Sequence, residues 1–216
     1  MSISNTGIQI KIVAFGDSIT NASNIPDECS YRKLVERELR GETGKDIRII
    51  NAGVNSDITA LALLRLDRDV LSHKPDYVTV MFGVNDAGFY RPNGPPADTP
   101  RVLEGDFEEN IKKIVGKIRE SGAKPVLVTP VPMSPGYSLA DLPEYIENGL
   151  NYLVDGYSDI IREIASQMDI PLIDVHRFFS EHPETQEFVP DGIHPDERGH
   201  KVIAEQFISV LLALLQ

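Results

Sequence analysis

Five short apolar runs, each followed by a stretch with helical periodicity, constrain this chain more than any other feature. The runs are Gln9–Phe15, Ile47–Asn51, Asp76–Phe82, Lys124–Thr129 and Ile170–Val175. Each is too short for a helix and is bounded by Gly, Pro or Asn, so they read as strands. Ile12-Val13-Ala14-Phe15 shows no polar alternation, as expected of a parallel strand covered on both faces. Between the runs, Tyr31, Leu34, Val35 and Leu39 make one helical stripe, with Pro26, Asp27 and Glu28 suiting its first turn. Ile58, Leu61, Leu64 and Leu71 make a second. Phe107, Ile111, Ile114 and Ile118 make a third that stops before Gly122, and Ile146 to Met168 make the longest. A last helix runs from near Glu197 to the C-terminus. Strict alternation with right-handed crossovers predicts a three-layer α/β/α sandwich, read as one domain over 1–216 because no repeat or linker interrupts it.

Composition removes several classes of function. With 41% apolar and 25% charged residues the chain has ordinary globular proportions. Its 21 basic and 33 acidic residues give a net charge of −12. Such a surface repels phosphate backbones and anionic bilayers, so no nucleic-acid partner is expected. The longest apolar run, Ile208–Leu215, is too short to cross a membrane, so stable insertion is not expected either. Cys29 is the only cysteine, which excludes an intrachain disulfide and a Cys-cluster zinc site; it reads as a small buried hydrophobe. The first residues lack the pattern of a secretory signal, and a cytoplasmic location is the expectation.

Chemistry gathers at the strand ends. Gly16-Asp17-Ser18 closes the first run, Asn51-Ala52-Gly53 the second and Gly83-Val84-Asn85-Asp86 the third. A Ser on a βα turn can hold its hydroxyl above the sheet, Gly lets backbone approach a ligand, and Asn offers neutral N–H donors. Taken singly, each is equally an ordinary turn. Asp191-Gly192-Ile193-His194-Pro195 precedes the last helix; an Asp three residues before a His can accept its Nδ1–H and leave Nε2 as a base. His73, His176, His182 and His200 lie in charged or loop contexts and read as solvated. Two long connections, Asp86–Val102 and Pro130–Pro143, follow strands and so lie at the carboxyl edge, where open α/β sheets bind ligands.

In this order the four blocks resemble the GDSL-type, or SGNH, esterases and lipases. The resemblance implies a nucleophile at Ser18, a base at His194 and its orienting partner at Asp191. It implies an oxyanion hole from the N–H groups of Ser18 and Gly53 and the Asn85 amide. It also implies a five-stranded parallel, flavodoxin-like sheet in the order 2-1-3-4-5, which brings Ser18 and Asn85 together at the switch point. Two departures stand out: Ile19 replaces the Leu of the family name, and Ser56 stands where the second block commonly has another Gly.

The function expected is a serine ester hydrolase without cofactor or metal, acting on a small-molecule ester through an acyl-serine intermediate. An acyltransferase, thioesterase or lysophospholipase would use the same site. A metal-dependent hydrolase built on Asp17, Asp86, Asp191 and His194, and a non-catalytic binding module, are the rivals of other classes. Net charge favours neutral short-acyl esters, acetylated sugars among them, over acyl-CoA. Arg91 and Arg101 in the third loop are balanced formally by Asp86 and Asp98, leaving no evident anion trap. Phe89, Tyr90 and Tyr137 are candidates to grip a sugar or a small acyl group.

Overall fold

The computed structural model describes residues 9–91 and 93–216; Pro92 and the signal-peptide reading of residues 1–8 lie outside them. Five strands, β1 (Ile10–Gly16), β2 (Ile47–Gly53), β3 (Tyr77–Met81), β4 (Lys124–Val128) and β5 (Leu172–Ile173), form one parallel sheet in the order β2-β1-β3-β4-β5. Val13, Phe15, Val78 and Val126 on the inner strands are fully buried, as strands covered on both faces must be. The edge strand β2 instead alternates buried and exposed positions at first, from Ile47 to Ile49.

The helices are α1 (Ser18–Asn21), α2 (Tyr31–Thr43), α3 (Thr59–Asp69), α4 (Glu104–Glu120), α5 (Pro143–Asn148), α6 (Tyr152–Gln167), α7 (Val175–Glu181) and α8 (Glu197–Leu215). Helices α2 and α8 pack on each other, while α4 packs against both α3 and α6. Handedness accounts for this division. The step from β1 to β2 runs one way across the sheet and the steps to β3, β4 and β5 run the other. Right-handed crossovers therefore put α2 on one face and α3, α4 and α6 on the opposite one. The reversal between β1 and β3 opens a crevice at their carboxyl ends.

Several local expectations are corrected. The fifth strand is only two residues long, because Asp174 accepts from the Arg177 N–H and starts α7. Residues Asp27–Cys29 form a separate 3₁₀ turn, and α2 begins at Tyr31 behind its own cap, Ser30. On α3, Leu61 and Leu64 are 49% and 83% exposed. The buried face carries Thr59, Ala62, Arg65 and Leu66, turned inward by the ion pairs of Arg65. The long stripe from Ile146 is broken at Gly149 (φ 96°), leaving Ile146 outside. Cys29 is half-exposed rather than buried.

Two histidines read as solvated are buried. His176 lies between Asp155 (2.9 Å) and Arg162 (3.3 Å). The Nδ1 of His200 accepts the Tyr31 N–H at the start of α2 (3.3 Å). Burial pushes the His200 imidazole down to about 4. No helix among the described residues is long and apolar enough to cross a membrane.

Candidate active site

Asp17 closes β1 and caps the short helix α1, its Oδ1 accepting the Ile19 N–H at 2.9 Å. This cap sets Ser18 as the first residue of a helix, 9% exposed at the crevice floor. First-turn N–H groups have no partner within a helix, so the Ser18 N–H is available to a ligand. From the far end of the chain, His194 brings its Nε2 to 3.0 Å from Ser18 Oγ. Its Nδ1 lies 2.7 Å from Asp191 Oδ2. The other Asp191 oxygen accepts the backbone N–H groups of Ile193 (3.1 Å) and His194 (2.7 Å). Burial alone would raise the Asp191 carboxyl, but the hydrogen bonds from His194 and Ile193 outweigh it and hold it below the usual range. It is therefore ionised where an imidazolium would form.

The loop carrying this pair is braced from behind. Gly192 sits at φ 95°, and a Cβ there would lie 2.1 Å from the backbone nitrogen of Tyr137. Only glycine combines that conformation with that approach. Ser134 N–H bonds the Gly192 carbonyl and Ser134 Oγ bonds that of Val189. Asn24 holds the Pro195 carbonyl at 3.0 Å, tying the histidine loop to the segment after α1.

Asn85 reaches the same crevice from the end of β3. One of its amide N–H bonds points to Asp17 Oδ2 at 3.4 Å, leaving the second for a ligand. Behind it lies an acidic cluster. Burial pushes Asp17 up to about 7, against the Ile19 hydrogen bond, with Asp86 and Asp57 adding to the rise. Burial raises Asp86 to about 6, against its bonds from Thr59. Asp86 Oδ2 is buried without a partner among the described residues.

Of the three expected oxyanion donors, Ser18 and Asn85 line the cleft and Gly53 does not. Its N–H is donated to Asn51 Oδ1 at 2.9 Å, and a Cβ there would lie 2.2 Å from the Asn21 backbone nitrogen. Its Cα is pressed onto α1 and its N–H is already engaged. Ser56, three residues further on, is in the cleft wall. It lines the cleft of about 240 Å³ with Ser18, Asn85 and His194. The turn Val54-Asn55-Ser56-Asp57 is closed by Asp57 N–H to the Val54 carbonyl (3.2 Å). Ser56 stands at its third position with φ 59°, where glycine is the usual occupant. The signal was already in the sequence: Ser56 is where the family commonly has its further Gly.

Arg65 carried no local sequence signal. It is buried over the Phe15 ring and donates to Asp57 Oδ2, the Ala52 carbonyl and the Gly16 carbonyl. It thereby fixes the ends of β1 and β2 and the turn presenting Ser56. Of the candidate aromatics, Tyr90 and Tyr137 line the cleft, whereas Phe89 is buried against Tyr145. A larger groove, about 570 Å³, runs between α2 and α8 and contains none of these residues. Among the described residues no three His, Cys, Asp or Glu side chains are arranged to hold a metal ion.

A parallel α/β/α sandwich with a Ser–His–Asp relay at its switch point defines a class: carboxylic ester hydrolases that use a serine. The profile of the GDSL-like Lipase/Acylhydrolase family matches residues 14–202, and the chain belongs to that family. It is 30% identical to the lipoprotein YqeF of Bacillus subtilis, over 90% of this chain and 86% of that one. It is 29% identical to the arylesterase of Vibrio mimicus, over 90% and 84%. Among solved structures it is similar to an acetyl xylan esterase, AlAXEase, with 27% identity and a TM-score of 0.74 over 93% of this chain and 98% of the other.

Proposed function

We propose that Ser18, His194 and Asp191 carry the reaction of this serine ester hydrolase. Ser18 Oγ attacks the ester carbonyl while its proton passes to His194 Nε2. Asp191 keeps the Nδ1–H tautomer in place and stabilises the imidazolium. The tetrahedral oxyanion takes hydrogen bonds from the Ser18 N–H, the second Asn85 N–H and the Ser56 N–H, the last in place of Gly53. Collapse expels the alcohol, protonated by His194, and leaves acyl-Ser18. Water, deprotonated by His194, then releases the acid. The 3.0 Å contact between His194 Nε2 and Ser18 Oγ is the observation that carries this reading.

The substrate is a small-molecule ester. Acetylated carbohydrates suit the narrow cleft with Tyr90 and Tyr137 in its wall, and the similar protein AlAXEase is an acetyl xylan esterase. We read residues 1–216 as one such domain that acts in the cytoplasm and needs neither metal nor nucleic acid. Subcellular fractionation tests the location; unchanged turnover after chelator treatment supports the metal-free reading. A fluorophosphonate should add once per chain, at Ser18, as read by intact mass and peptide mapping. Ser18→Ala and His194→Ala should each fold normally and lose esterase turnover. Full turnover in purified Ser18→Ala would overturn the assignment.

A further inference from the structure

We infer that Arg101 receives a carboxylate of the substrate, so that the enzyme prefers esters bearing an anionic group close to the scissile bond. This inference rests on the Ser18 ester-hydrolase reading and specifies its substrate.

Arg101 lines the cleft together with Ser18, Asn85 and His194. Its place there is fixed by the backbone: Arg101 N–H bonds the Gly88 carbonyl (3.0 Å) and Val102 N–H bonds that of Asp86 (3.1 Å). The long loop thus returns against the start of its own path and delivers Arg101 to the cleft that Asn85 also lines. One Nη1–H is donated to the Ser56 carbonyl at 2.9 Å. Among the described residues no carboxylate oxygen lies within 4.0 Å of this half-buried cation. That is unusual, because a guanidinium sheltered from water is normally paired.

Of the two acids that balance the loop on paper, Asp86 acts on Arg101 only through space and neither touches it. Asp86 is fully buried with its Oδ1 held by Thr59, and Asp98 is exposed outside the cleft lining. Asp57, the other nearby acid, is held by Arg65. The second arginine of the loop, Arg91, is bound to the Tyr90 and Thr99 carbonyls and is not part of the cleft wall. One guanidinium without a contacting carboxylate, and with no second cation in the cleft wall, suits a singly charged, planar carboxylate better than a phosphate. The earlier reading that this loop offers no anion trap is therefore corrected at short range, while the charge of −12 still opposes large polyanions.

The carboxylate can belong to the alcohol or to the acyl chain, and two probe pairs separate these. The alcohol-side pair is 3-acetoxybenzoate and its neutral amide, 3-acetoxybenzamide. The acyl-side pair is phenyl hydrogen glutarate and phenyl glutaramate. After subtraction of spontaneous hydrolysis, the readout is the ratio of kcat/KM for acid over amide within each pair. Any general loss transmitted through the Ser56 turn cancels in that ratio. In the wild type at least one ratio should exceed about 10, carried by KM, since a charge-assisted hydrogen bond is worth about one factor of ten or more. Arg101→Gln should bring that ratio down at least about tenfold, and Arg101→Lys should retain part of it.

Wild-type ratios near one in an enzyme that cleaves the amides would overturn the proposal and leave the esterase reading intact. A ratio unchanged in Arg101→Gln, with turnover lowered equally on both members, would overturn it by assigning Arg101 to the Ser56 turn alone. Absence of both fluorophosphonate labelling and turnover of all four probes would remove the esterase reading, and this inference with it.

Discussion

Asn85 has its amide divided between a buried acid and the open cleft, and that division fixes what its removal should do. Truncation to Ala leaves the Asp17 carboxyl without its contact and takes one donor from the position where charge develops. We expect Asn85→Ala to lower kcat roughly 10²–10³-fold with KM changed far less, measured by steady-state turnover of a short-chain ester. A change confined to KM would instead make Asn85 a ground-state binder. At Ser56 the donor is backbone, so replacing the side chain should spare it. A left-handed conformation costs a non-glycine residue roughly 1–2 kcal/mol, and glycine returns part of that as chain entropy. Ser56→Gly should therefore gain up to about 1 kcal/mol in urea unfolding with kcat retained. The meeting of Ser18, His194 and Asp191 was legible because the blocks around Ser18 and His194 are short and local. Gly53 was the expected third donor and Ser56 is the one proposed, because a β-strand end and the turn beyond it offer two N–H groups three residues apart. Only the fold shows which one is already bonded to Asn51.

At the scale of elements, Arg65 joins two strands and a turn from the face of α3 opposite the leucine stripe that the sequence pattern picks out. Its bonds to Asp57 and to the Gly16 and Ala52 carbonyls lie in the interior. Removing one member of a buried pair costs roughly 3–5 kcal/mol, because a desolvated charge is left behind. Arg65→Met should lose an amount of that order by urea unfolding, and its kcat should fall as the Ser18 and Ser56 backbones loosen. The double variant Arg65→Met/Asp57→Leu should recover part of the stability but not the kcat. Strand order and layering were readable because apolar runs and crossover handedness act over whole segments. The orientation of α3 was not, since it depends on an arginine meeting an aspartate eight residues earlier. Gly149 likewise ends a stripe whose periodicity runs on through the break.

Across the whole molecule, α8 is clamped to α2 at a buried histidine that stays neutral. Burial holds the His200 imidazole at about 4, below its ordinary 6.5. Its stabilising contribution is complete above pH 6.5 and is lost as the pH falls from there towards 4, where the unfolded chain binds a proton that the folded one refuses. Between pH 7 and 4.5 the loss should be roughly 2–3 kcal/mol. His200→Asn, which keeps an acceptor for the Tyr31 N–H, should remove that part of the pH dependence in urea unfolding. His176 is also held low by burial and adds in the same sense, so the comparison is of wild type with variant at each pH. The hydrogen bond between Ser18 Oγ and His194 Nε2 spans 176 residues of chain. During synthesis the ribosome must therefore add that whole length after Ser18 before the base proposed for it exists. Until α8 docks, the emerging polypeptide carries an ordinary, inert serine, and its reactivity towards a phosphonate would time the completion of the fold inside a cell.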